Sequence, residues 1–332
     1  MAFQVLVVDR FDLNALALLK SHPAIDVKWV AEPVPPAGLL ATCEGLITRS
    51  RTRIDDELIS KAPNLRVVVT GTSGFDHIDF DALKKRGIVA MYTPGANAAA
   101  ACEMTWGLIL ACSRKVVEAH AAVKAGEWRR EPLIGRELNG KTLGIVGLGR
   151  IGTRVAQVGL AFGMKVAAFD PYKDDADFEK AGAQRVSLDE LLKLADVVTF
   201  HVPATKETRY MLTRDRLENM NRHAILINAS RGSVVAERDL VHALRENWIA
   251  ACGLDVFERE PLPQDSPLLK FPQVVFSPHL GASTAEAFAN ASREAAQKII
   301  NFATSGEVRD RLPPEEAWYQ ASFSAHKSKP NP

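Results

Sequence analysis

Short apolar runs rich in β-branched residues alternate with stretches of helical periodicity over most of the chain. Five runs in the first hundred residues and six more from 143 to 277 are predicted to be strands: 5–8, 27–30, 45–47, 67–70, 88–91, 143–146, 166–169, 197–202, 225–227, 253–256 and 274–277. Strands that alternate with helices form parallel sheets. The pattern therefore predicts an α/β protein with two doubly wound parallel sheets in succession.

Two longer helical stretches lie beside the predicted sheets. Residues 98–125 are rich in Ala and Leu and almost free of Gly and Pro, which predicts a long helix joining two domains. A second predicted helix, 284–302, follows the last strand and could return to the first domain. We therefore expect a discontinuous first domain and a continuous second domain, followed by a polar, Pro-rich and poorly ordered tail: 1–98 with 284–305, 99–283 and 306–332.

Composition excludes several classes of protein. The chain has 332 residues, 47% hydrophobic and 24% charged, which is typical of globular proteins. A net charge of +1 creates no overall field for nucleic acid or an anionic membrane, so we expect neither partner. The first ten residues lack a secretory pattern, and the four cysteines match no metal knuckle or disulfide framework. The histidines lack zinc-site spacing, so we expect no metal. The cysteine usage and the missing secretory pattern predict a cytoplasmic location.

A glycine-rich turn, GLGRIG, follows the first strand of the second series and precedes a helical pattern. Gly147 would allow the tight turn, Gly149 the approach of a pyrophosphate to the backbone, and Gly152 close packing of helix and strand. Asp170 ends the next strand, where a carboxylate accepts hydrogen bonds from ribose hydroxyls and repels a 2′-phosphate. The turn therefore predicts a dinucleotide site that prefers NAD over NADP.

Three polar side chains follow later strands of the second domain: Arg231 in NASRGSVV, Glu260 in DVFEREP and His279 in SPHLGAST. Arginine can bind a carboxylate through two hydrogen bonds and polarise a carbonyl oxygen. Histidine can carry a hydroxyl proton near neutral pH, and an ionised glutamate beside it would raise its pKa and orient its ring. Each residue alone could be an ordinary capping or surface group. Together they predict acid–base catalysis accompanying hydride transfer.

With these motifs in order, the chain resembles the D-isomer-specific 2-hydroxyacid dehydrogenases from about Val5 to Phe302. The motifs that carry the resemblance are GLGRIG, HVPATKETRYML, INASRGSVV, GLDVFEREP, SPHLGAST, VVVTGTSGFDHID and TPGANAAAACE. The resemblance implies Rossmann-like and flavodoxin-like domains joined by long helices. It also implies NAD-dependent oxidation or reduction at C2 of a small 2-hydroxy or 2-keto acid, with Arg231, Glu260 and His279 as the catalytic set.

This resemblance also implies Asp170 and adds further site residues to those predicted above. NAD contacts are expected at the glycine turn and on the loops that follow later strands, with Asp255 holding the nicotinamide amide: Arg150, Ile151, Asp170, His201, Val202, Pro203, Ala229, Ser230, Asp255, Gly281 and Ala282. For the substrate, backbone N–H groups at Ser73 and Gly74 are expected to bind the carboxylate, and Asn97 is a further substrate position. The string TGTSGFDHID departs slightly from the AGxGxDxID pattern of the family.

Within the family, Arg49 and Arg51 in the string RSRT resemble arginines that lie beside the substrate phosphate in phosphoglycerate dehydrogenases. This implies conversion of 3-phosphoglycerate to 3-phosphohydroxypyruvate, a step of serine biosynthesis, and guanidinium groups suit phosphate oxygens. Arg130 in GEWRRE matches a position that reaches a neighbouring subunit in relatives, so a homodimer built around residues 98–130 is expected. A solvated basic loop is the alternative for Arg130.

Two other functions stay open. A hydroxypyruvate or glyoxylate reductase would use the same three catalytic residues on a substrate without phosphate. An NADH-sensing corepressor similar to the C-terminal binding proteins would share the fold and could keep the same catalytic positions. A formate dehydrogenase is disfavoured, because those relatives carry Gln where this chain has Glu260.

Overall fold

The computed structural model describes residues 2–316, 318 and 319. The strands of this part of the chain are β1 (Phe3–Val8), β2 (Ile25–Val30), β3 (Gly45–Thr48), β4 (Val67–Thr70), β5 (Val89–Tyr92), β6 (Thr142–Val146), β7 (Lys165–Phe169), β8 (Gln184–Arg185), β9 (Val197–Phe200), β10 (Ile225–Asn228), β11 (Ala251–Leu254), β12 (Val274–Phe276) and β13 (Arg311–Leu312). The α-helices are α1 (Leu13–Ser21), α2 (Ala37–Leu40), α3 (Asp56–Ser60), α4 (Phe80–Lys85), α5 (Ala98–Arg114), α6 (Val116–Lys124), α7 (Arg150–Ala161), α8 (Asp175–Ala181), α9 (Leu188–Leu194), α10 (Arg214–Glu218), α11 (Glu237–Arg245) and α12 (Ala285–Ser305). Short 3₁₀ turns lie at Glu131–Leu133, Gly232–Val234 and Pro267–Lys270.

Internal contacts divide the chain into two compact units. The first unit contains the chain up to Asn97 and from Ser283 onwards, and the second contains Ala98–Ala282. Helix α5 begins at the first boundary and α12 begins just after the second. None of the helices in the described part of the chain is long and apolar enough to cross a membrane.

The first unit is built on a six-stranded sheet in the order β13-β5-β4-β3-β1-β2. Strands β1 to β5 pair in parallel, and β13 pairs antiparallel with β5. Alternate side chains of β1 enter different hydrophobic cores, Leu6 and Val8 on one face and Val5 and Val7 on the other. Both faces of the sheet are therefore covered, which explains why its strands are continuous apolar runs in the sequence.

The second unit is built on a seven-stranded parallel sheet in the order β12-β11-β10-β9-β6-β7-β8. Its strand order reverses between β6 and β9, and that of the first unit reverses between β1 and β3. Doubly wound folds bind their ligands at the carboxyl ends of strands near such a reversal. The two doubly wound sheets predicted from the alternation of strands and helices are confirmed.

Residues 98–125 form two helices rather than the single helix that their composition predicted. Helix α5 ends before Lys115, which has a left-handed backbone with φ of 51°, and α6 follows. At this break the carbonyl of Ser113 accepts a hydrogen bond of 2.7 Å from the N–H of Arg136. A later segment of the chain therefore binds a carbonyl at the end of α5, where the helix can no longer satisfy it.

Part of the predicted polar tail is ordered. Strand β13 pairs with the edge of the first sheet, and Leu312 in it is buried. Asp310 forms an ion pair of 2.9 Å with Lys298 of α12. These contacts attach residues 310–312 to the first sheet and to α12. Residues 317 and 320–332 of the predicted tail lie outside the described residues.

Candidate active site

The glycine turn after β6 has close backbone approaches at two of its three glycines. Gly147 has a φ of 94°, and a Cβ atom there would lie 2.5 Å from the carbonyl oxygen of His201. A Cβ atom on Gly152 would lie 2.0 Å from the carbonyl oxygen of Gly147, so only glycine fits at either position. Gly149 is different, because a Cβ atom there would meet nothing within 4 Å. The backbone at Gly149 is thus open to a ligand.

Helix α7 begins directly after this turn, with Gly149 as its N-cap residue. Among the described residues, the N–H groups of Gly149, Arg150 and Ile151 donate to no protein acceptor. Free N–H groups at a helix N-terminus attract anions, and the helix dipole adds to the attraction. The turn therefore suits the pyrophosphate of a dinucleotide.

Asp170 lies at the end of β7, beside the glycine turn. Its Oδ2 atom accepts a hydrogen bond of 2.9 Å from the N–H of Leu148, and its Oδ1 atom accepts one of 3.0 Å from the N–H of Tyr172. A carboxylate has about four lone-pair sites, so each oxygen can still accept a ribose hydroxyl. The hydrogen bond from Leu148 shows that Asp170 also holds the glycine turn, a role that the sequence did not reveal.

The loop after β9 begins with His201, Val202 and Pro203. Burial lowers the pKa of His201 to about 3, so the ring is neutral, and its Nε2 atom lies 3.0 Å from the hydroxyl of Thr199. The carbonyl of Pro203 accepts a hydrogen bond of 2.6 Å from Thr208. These contacts give the loop a fixed course beside Gly147, at the point where the sheet order reverses.

Asn228, the last residue of β10, shapes the loop that carries Arg231. Its side-chain oxygen accepts hydrogen bonds from the N–H and hydroxyl of Ser230, and its Nδ2 atom donates 2.9 Å to the carbonyl of Arg231. The Arg231 guanidinium donates 2.7 Å to the carbonyl of Ser230. Ala229 in this loop is partly buried. Asn228 was absent from the residues singled out in the sequence, although an amide at a strand end is a recurrent turn former.

The loops that carry Arg231 and Glu260 touch at Gly232. A Cβ atom on Gly232 would lie 1.9 Å from the backbone carbonyl of Phe257 and 2.5 Å from the N–H nitrogen of Glu258. No side chain can occupy that space without moving one of the two loops. Glycine at this position therefore sets how closely Arg231 can approach the segment that ends in Glu260.

His279 and Glu260 form the predicted pair. His279 Nδ1 lies 2.7 Å from Glu260 Oε2, and both side chains are partly exposed. The hydrogen bond to Glu260 raises the pKa of His279, an effect that partial burial and the charge of Arg231 oppose without cancelling. Partial burial raises the pKa of Glu260, but the contacts with His279, the Phe257 N–H and the charge of Arg231 together hold it below its usual value. Since Glu260 occupies Nδ1, Nε2 is the atom of His279 that can exchange a proton with a substrate.

Asp255, which follows β11, is almost fully buried and holds the turn that presents His279. Its two side-chain oxygens accept hydrogen bonds of 2.8 Å from the N–H groups of Leu280 and Gly281, and its carbonyl accepts one from the N–H of His279. His279 adopts a left-handed backbone with φ of 56°, which costs energy for a residue with a Cβ atom. The carboxylate of Asp255 offsets that cost, and Ala282 follows directly after this turn.

In the first unit, Ser73 and Gly74 lie in the loop after β4. The hydroxyl of Ser73 contacts Asn97 Oδ1 at 2.5 Å and the carbonyl of Thr93 at 3.1 Å, while Thr72 donates to the carbonyl of Gly74 at 2.6 Å. In the part of the chain that the structure describes, the N–H groups of Ser73 and Gly74 have no protein acceptor. Two adjacent free N–H groups can bind a carboxylate. The contact between Asn97 and the Ser73 hydroxyl helps to fix the conformation of this loop.

Arg49 and Arg51, near the carboxyl end of β3, have different partners. Arg51 forms a two-atom ion pair with the buried carboxylate of Asp9, which has a left-handed backbone at the end of β1. Arg49 lies over the ring of Phe288, with its Cζ atom 4.8 Å from the ring centroid, and Arg10 lies 5.7 Å from the same centroid. The Nη1 atom of Arg49 is buried and has no hydrogen-bond partner among the described residues. The two arginines of the RSRT string are therefore not equivalent.

Arg130 lies in an exposed stretch of the second unit between α6 and β6. Its side chain is exposed, as is that of the neighbouring Arg129, which pairs with Glu127. Several large apolar side chains of this region are also exposed, among them Trp128 at 80% and Ile134 at 74%.

Comparison with known proteins agrees with this geometry. The family model for the NAD-binding domain of the D-isomer-specific 2-hydroxyacid dehydrogenases matches residues 106–281. Glyoxylate reductase of Aeropyrum pernix is 41% identical over 309 residues, which is 90% of this chain and 92% of that protein. D-3-phosphoglycerate dehydrogenase of Archaeoglobus fulgidus is 41% identical over 269 residues, which is 81% of this chain but 51% of that protein. The chain thus spans about half the length of this second relative.

A solved structure supports the fold over almost the whole chain. The crystal structure of D-lactate dehydrogenase from Aquifex aeolicus, complexed with NAD and lactic acid, has a TM-score of 0.80 and 32% sequence identity. The match covers 90% of this chain and 95% of that one. The predicted fold class and the NAD cofactor are confirmed. The residues at the glycine turn and at Asp170 fit that cofactor, because they offer free N–H groups and a carboxylate where its pyrophosphate and ribose require them.

Proposed function

The chain belongs to the D-isomer-specific 2-hydroxyacid dehydrogenases, and from this premise we propose that Arg231, Glu260 and His279 interconvert a D-2-hydroxy acid and its 2-keto acid. The observation that carries this assignment is the 2.7 Å contact between His279 and Glu260. NAD, when bound, supplies the hydride acceptor for oxidation and, in its reduced form, the hydride donor for reduction. We further propose a preference for NAD over NADP, supported by the carboxylate of Asp170 at the ribose end.

Each of these residues has a separate role in the proposed reaction. His279 Nε2 takes the proton of the C2 hydroxyl during oxidation and returns it to the carbonyl oxygen during reduction, while Glu260 stabilises the protonated ring. Arg231 is permanently charged and polarises the carbonyl oxygen. The loop at Ser73 and Gly74 is proposed to bind the substrate carboxylate through its free N–H groups.

The substrate is proposed to be 3-phosphoglycerate and its keto acid, 3-phosphohydroxypyruvate. The observation that supports a phosphate is Arg49, whose Nη1 atom is buried and lacks a partner among the described residues. A buried donor without a partner loses free energy unless a ligand accepts from it. The surroundings also carry excess positive charge, since Arg10, Arg49 and Arg51 face a single carboxylate, Asp9.

Glyoxylate or hydroxypyruvate reduction is the second candidate. The observation that favours it is the ion pair of Arg51 with Asp9, because a paired guanidinium is less available to a phosphate. A relative named glyoxylate reductase is also 41% identical over 90% of this chain.

A comparison of four keto acids tests the substrate directly. NADH oxidation by the purified protein should be fastest, as kcat/KM, with phosphohydroxypyruvate, followed by hydroxypyruvate, glyoxylate and pyruvate. Arg49→Ala should lower kcat/KM for phosphohydroxypyruvate by roughly 10–150-fold, the equivalent of one charge-assisted hydrogen bond, and should spare hydroxypyruvate. Arg53→Ala is the matched control, because that side chain is largely exposed. Equal losses on both substrates would favour the reductase.

We also propose a homodimer and a cytoplasmic location. The dimer is supported by the exposed apolar side chains around Trp128, since exposed aromatic groups of this size commonly mark an interface. The location is supported by the four cysteines, which are buried free thiols, as in proteins of a reducing compartment.

A further inference from the structure

Phe75, the residue after Gly74, lies in a cluster of five aromatic rings. Its ring centroid is 5.6 Å from that of Tyr92, 5.8 Å from Phe80, 6.3 Å from Tyr319 and 6.4 Å from Trp318. Tyr319 also packs edge-on against Phe80 at 6.1 Å. We call these five residues the Phe75 cluster. Two of its rings come from the C-terminal segment, more than two hundred residues later in the chain.

The described part of the C-terminal segment, residues 310–316, 318 and 319, has several contacts within the first unit. Strand β13 pairs with β5, and the carbonyl of Asp310 accepts a hydrogen bond of 3.2 Å from the N–H of Tyr92. The carboxylate of Asp310 also pairs with Lys298, which is itself buried. Leu312 and Tyr319 are both buried. The pairing with β5, the ion pair with Lys298 and the burial of Leu312 therefore hold this segment against the first sheet.

The loop from Gly71 to Ile78 is held at several points by hydrogen bonds, among them the Gly71 N–H to the carbonyl of Thr48 and the Ser73 hydroxyl to the carbonyl of Thr93. Thr72 bonds to Gly74 and lies 2.7 Å from Thr70, whose hydroxyl lies 3.1 Å from the ring of His77. Hydrogen bonds of this kind define a turn but contribute little net free energy when water competes. Aromatic pairs bury more area and prefer defined relative orientations. Phe75 thus connects the loop to the hydrophobic core of the unit.

We propose that Trp318 and Tyr319 are positioning residues for the loop that binds the substrate carboxylate. They pack on Phe75 and so hold the N–H groups of Ser73 and Gly74 in the conformation that a carboxylate requires. This inference rests on the proposed function, which gives that loop its role. It goes further in making the C-terminal segment a part of substrate recognition.

The physical consequence concerns binding more than chemistry. A loop that must be ordered by the substrate costs conformational entropy at each binding event, and a loop that is already ordered does not. Loss of the C-terminal rings should therefore raise KM by roughly 2–13-fold, the equivalent of ordering one side chain. The increase should be the same for glyoxylate and phosphohydroxypyruvate, because both present a carboxylate to the loop.

The test compares Trp318→Ala, Tyr319→Ala and the conservative Trp318→Phe in the full chain. We expect the alanine variants to raise KM for every 2-keto acid with kcat reduced less than threefold, and Trp318→Phe to restore most of the wild-type KM. NADH affinity, followed by the fluorescence of the nucleotide, should not change. Phe302→Ala is the matched control, because it removes an aromatic contact with Phe3 elsewhere in the same unit.

Hydrogen–deuterium exchange of the peptide that contains residues 71–79 separates this inference from the proposed function. We expect faster exchange in Trp318→Ala and wild-type exchange in Phe302→Ala, whether or not a keto acid turns over. Unchanged exchange in Trp318→Ala would overturn the inference, and so would faster exchange with an unchanged KM for glyoxylate. A wild-type protein that reduces no 2-keto acid would instead refute the proposed function. The exchange result would still decide whether Trp318 orders the loop.

Discussion

The contact between His279 and Glu260 shifts the pKa values of the two side chains in opposite directions. Hydrogen bonding to Glu260 raises the pKa of His279 above its ordinary value of 6.5, although burial and Arg231 act in the opposite direction. The protonated ring, which a keto acid needs as its proton donor, therefore persists to higher pH than it would in an isolated histidine. The same contact limits oxidation, because a protonated ring cannot accept the hydroxyl proton.

Replacement of Glu260 by Gln tests this coupling. The amide can still contact His279 Nδ1 but carries no charge, so the pKa of His279 should fall. Keto-acid reduction declines as pH rises through that pKa, so the decline of kcat/KM should move to lower pH in the variant. The control is Glu258→Gln, since Glu258 contacts the backbone N–H of Glu237 rather than His279. A pH profile that is the same in Glu260→Gln and the wild type would contradict the coupling.

At the scale of elements, the site depends on how closely neighbouring loops approach one another. The loops after β10 and β11 meet at Gly232, and those after β6 and β9 meet at Gly147. The side chains proposed to be catalytic follow parallel strands, and these close approaches help to bring their loops together. Glycine at such positions is thus part of the geometry of the site although it has no functional group.

Gly232→Ala should therefore lower both stability and activity. Its methyl group would lie 1.9 Å from the carbonyl of Phe257, and overpacking of this kind typically costs about 1–3 kcal/mol. We expect a lower Tm in thermal unfolding and a loss of kcat larger than the change in NADH affinity. Gly38→Ala is the control, because a Cβ atom there meets nothing within 4 Å. Wild-type kcat in Gly232→Ala would show that the loops can separate without affecting catalysis.

Local patterns were sufficient to predict most elements of the fold. The parallel strands, the glycine turn and helix α12 all follow from periodicity and turn chemistry within about twenty residues. Strands β8 and β13 were not predicted, because two residues carry too little pattern and form strands only against a neighbouring edge. The break at Lys115 is accompanied by a hydrogen bond from the Arg136 N–H to the Ser113 carbonyl, a long-range contact that composition cannot show.

The candidate site was predictable to a similar extent. Arg231, Glu260 and His279 could be recognised because each follows a strand and carries distinctive chemistry. The pairing of Arg51 with Asp9 and the support of His279 by Asp255 join residues far apart in sequence, so only the folded chain reveals them. The same is true of Trp318 and Phe75, whose contact joins the two separate chain segments of the first unit.

At the scale of the whole molecule, the exposed apolar surface around Trp128 should bring two copies together. Light scattering at micromolar concentration should give about twice the mass of one chain. Replacing Trp128 and Ile134 by Ser should shift the protein toward monomer, because both side chains are largely exposed in the single chain. A monomer in the wild type, or a dimer unaffected by both substitutions, would remove this surface as the interface.

We propose above all that this molecule transfers hydride to a 2-keto acid with His279 as its proton carrier. The most direct measurement compares NADH oxidation by the wild type and His279→Ala on the best of the four keto acids, with NADH binding measured in parallel. General acid–base catalysis contributes roughly 10²–10⁴-fold, so the variant should lose that much kcat while binding NADH almost normally. Full turnover in His279→Ala would contradict the mechanism, as would a wild-type protein that binds NADH and reduces none of the four.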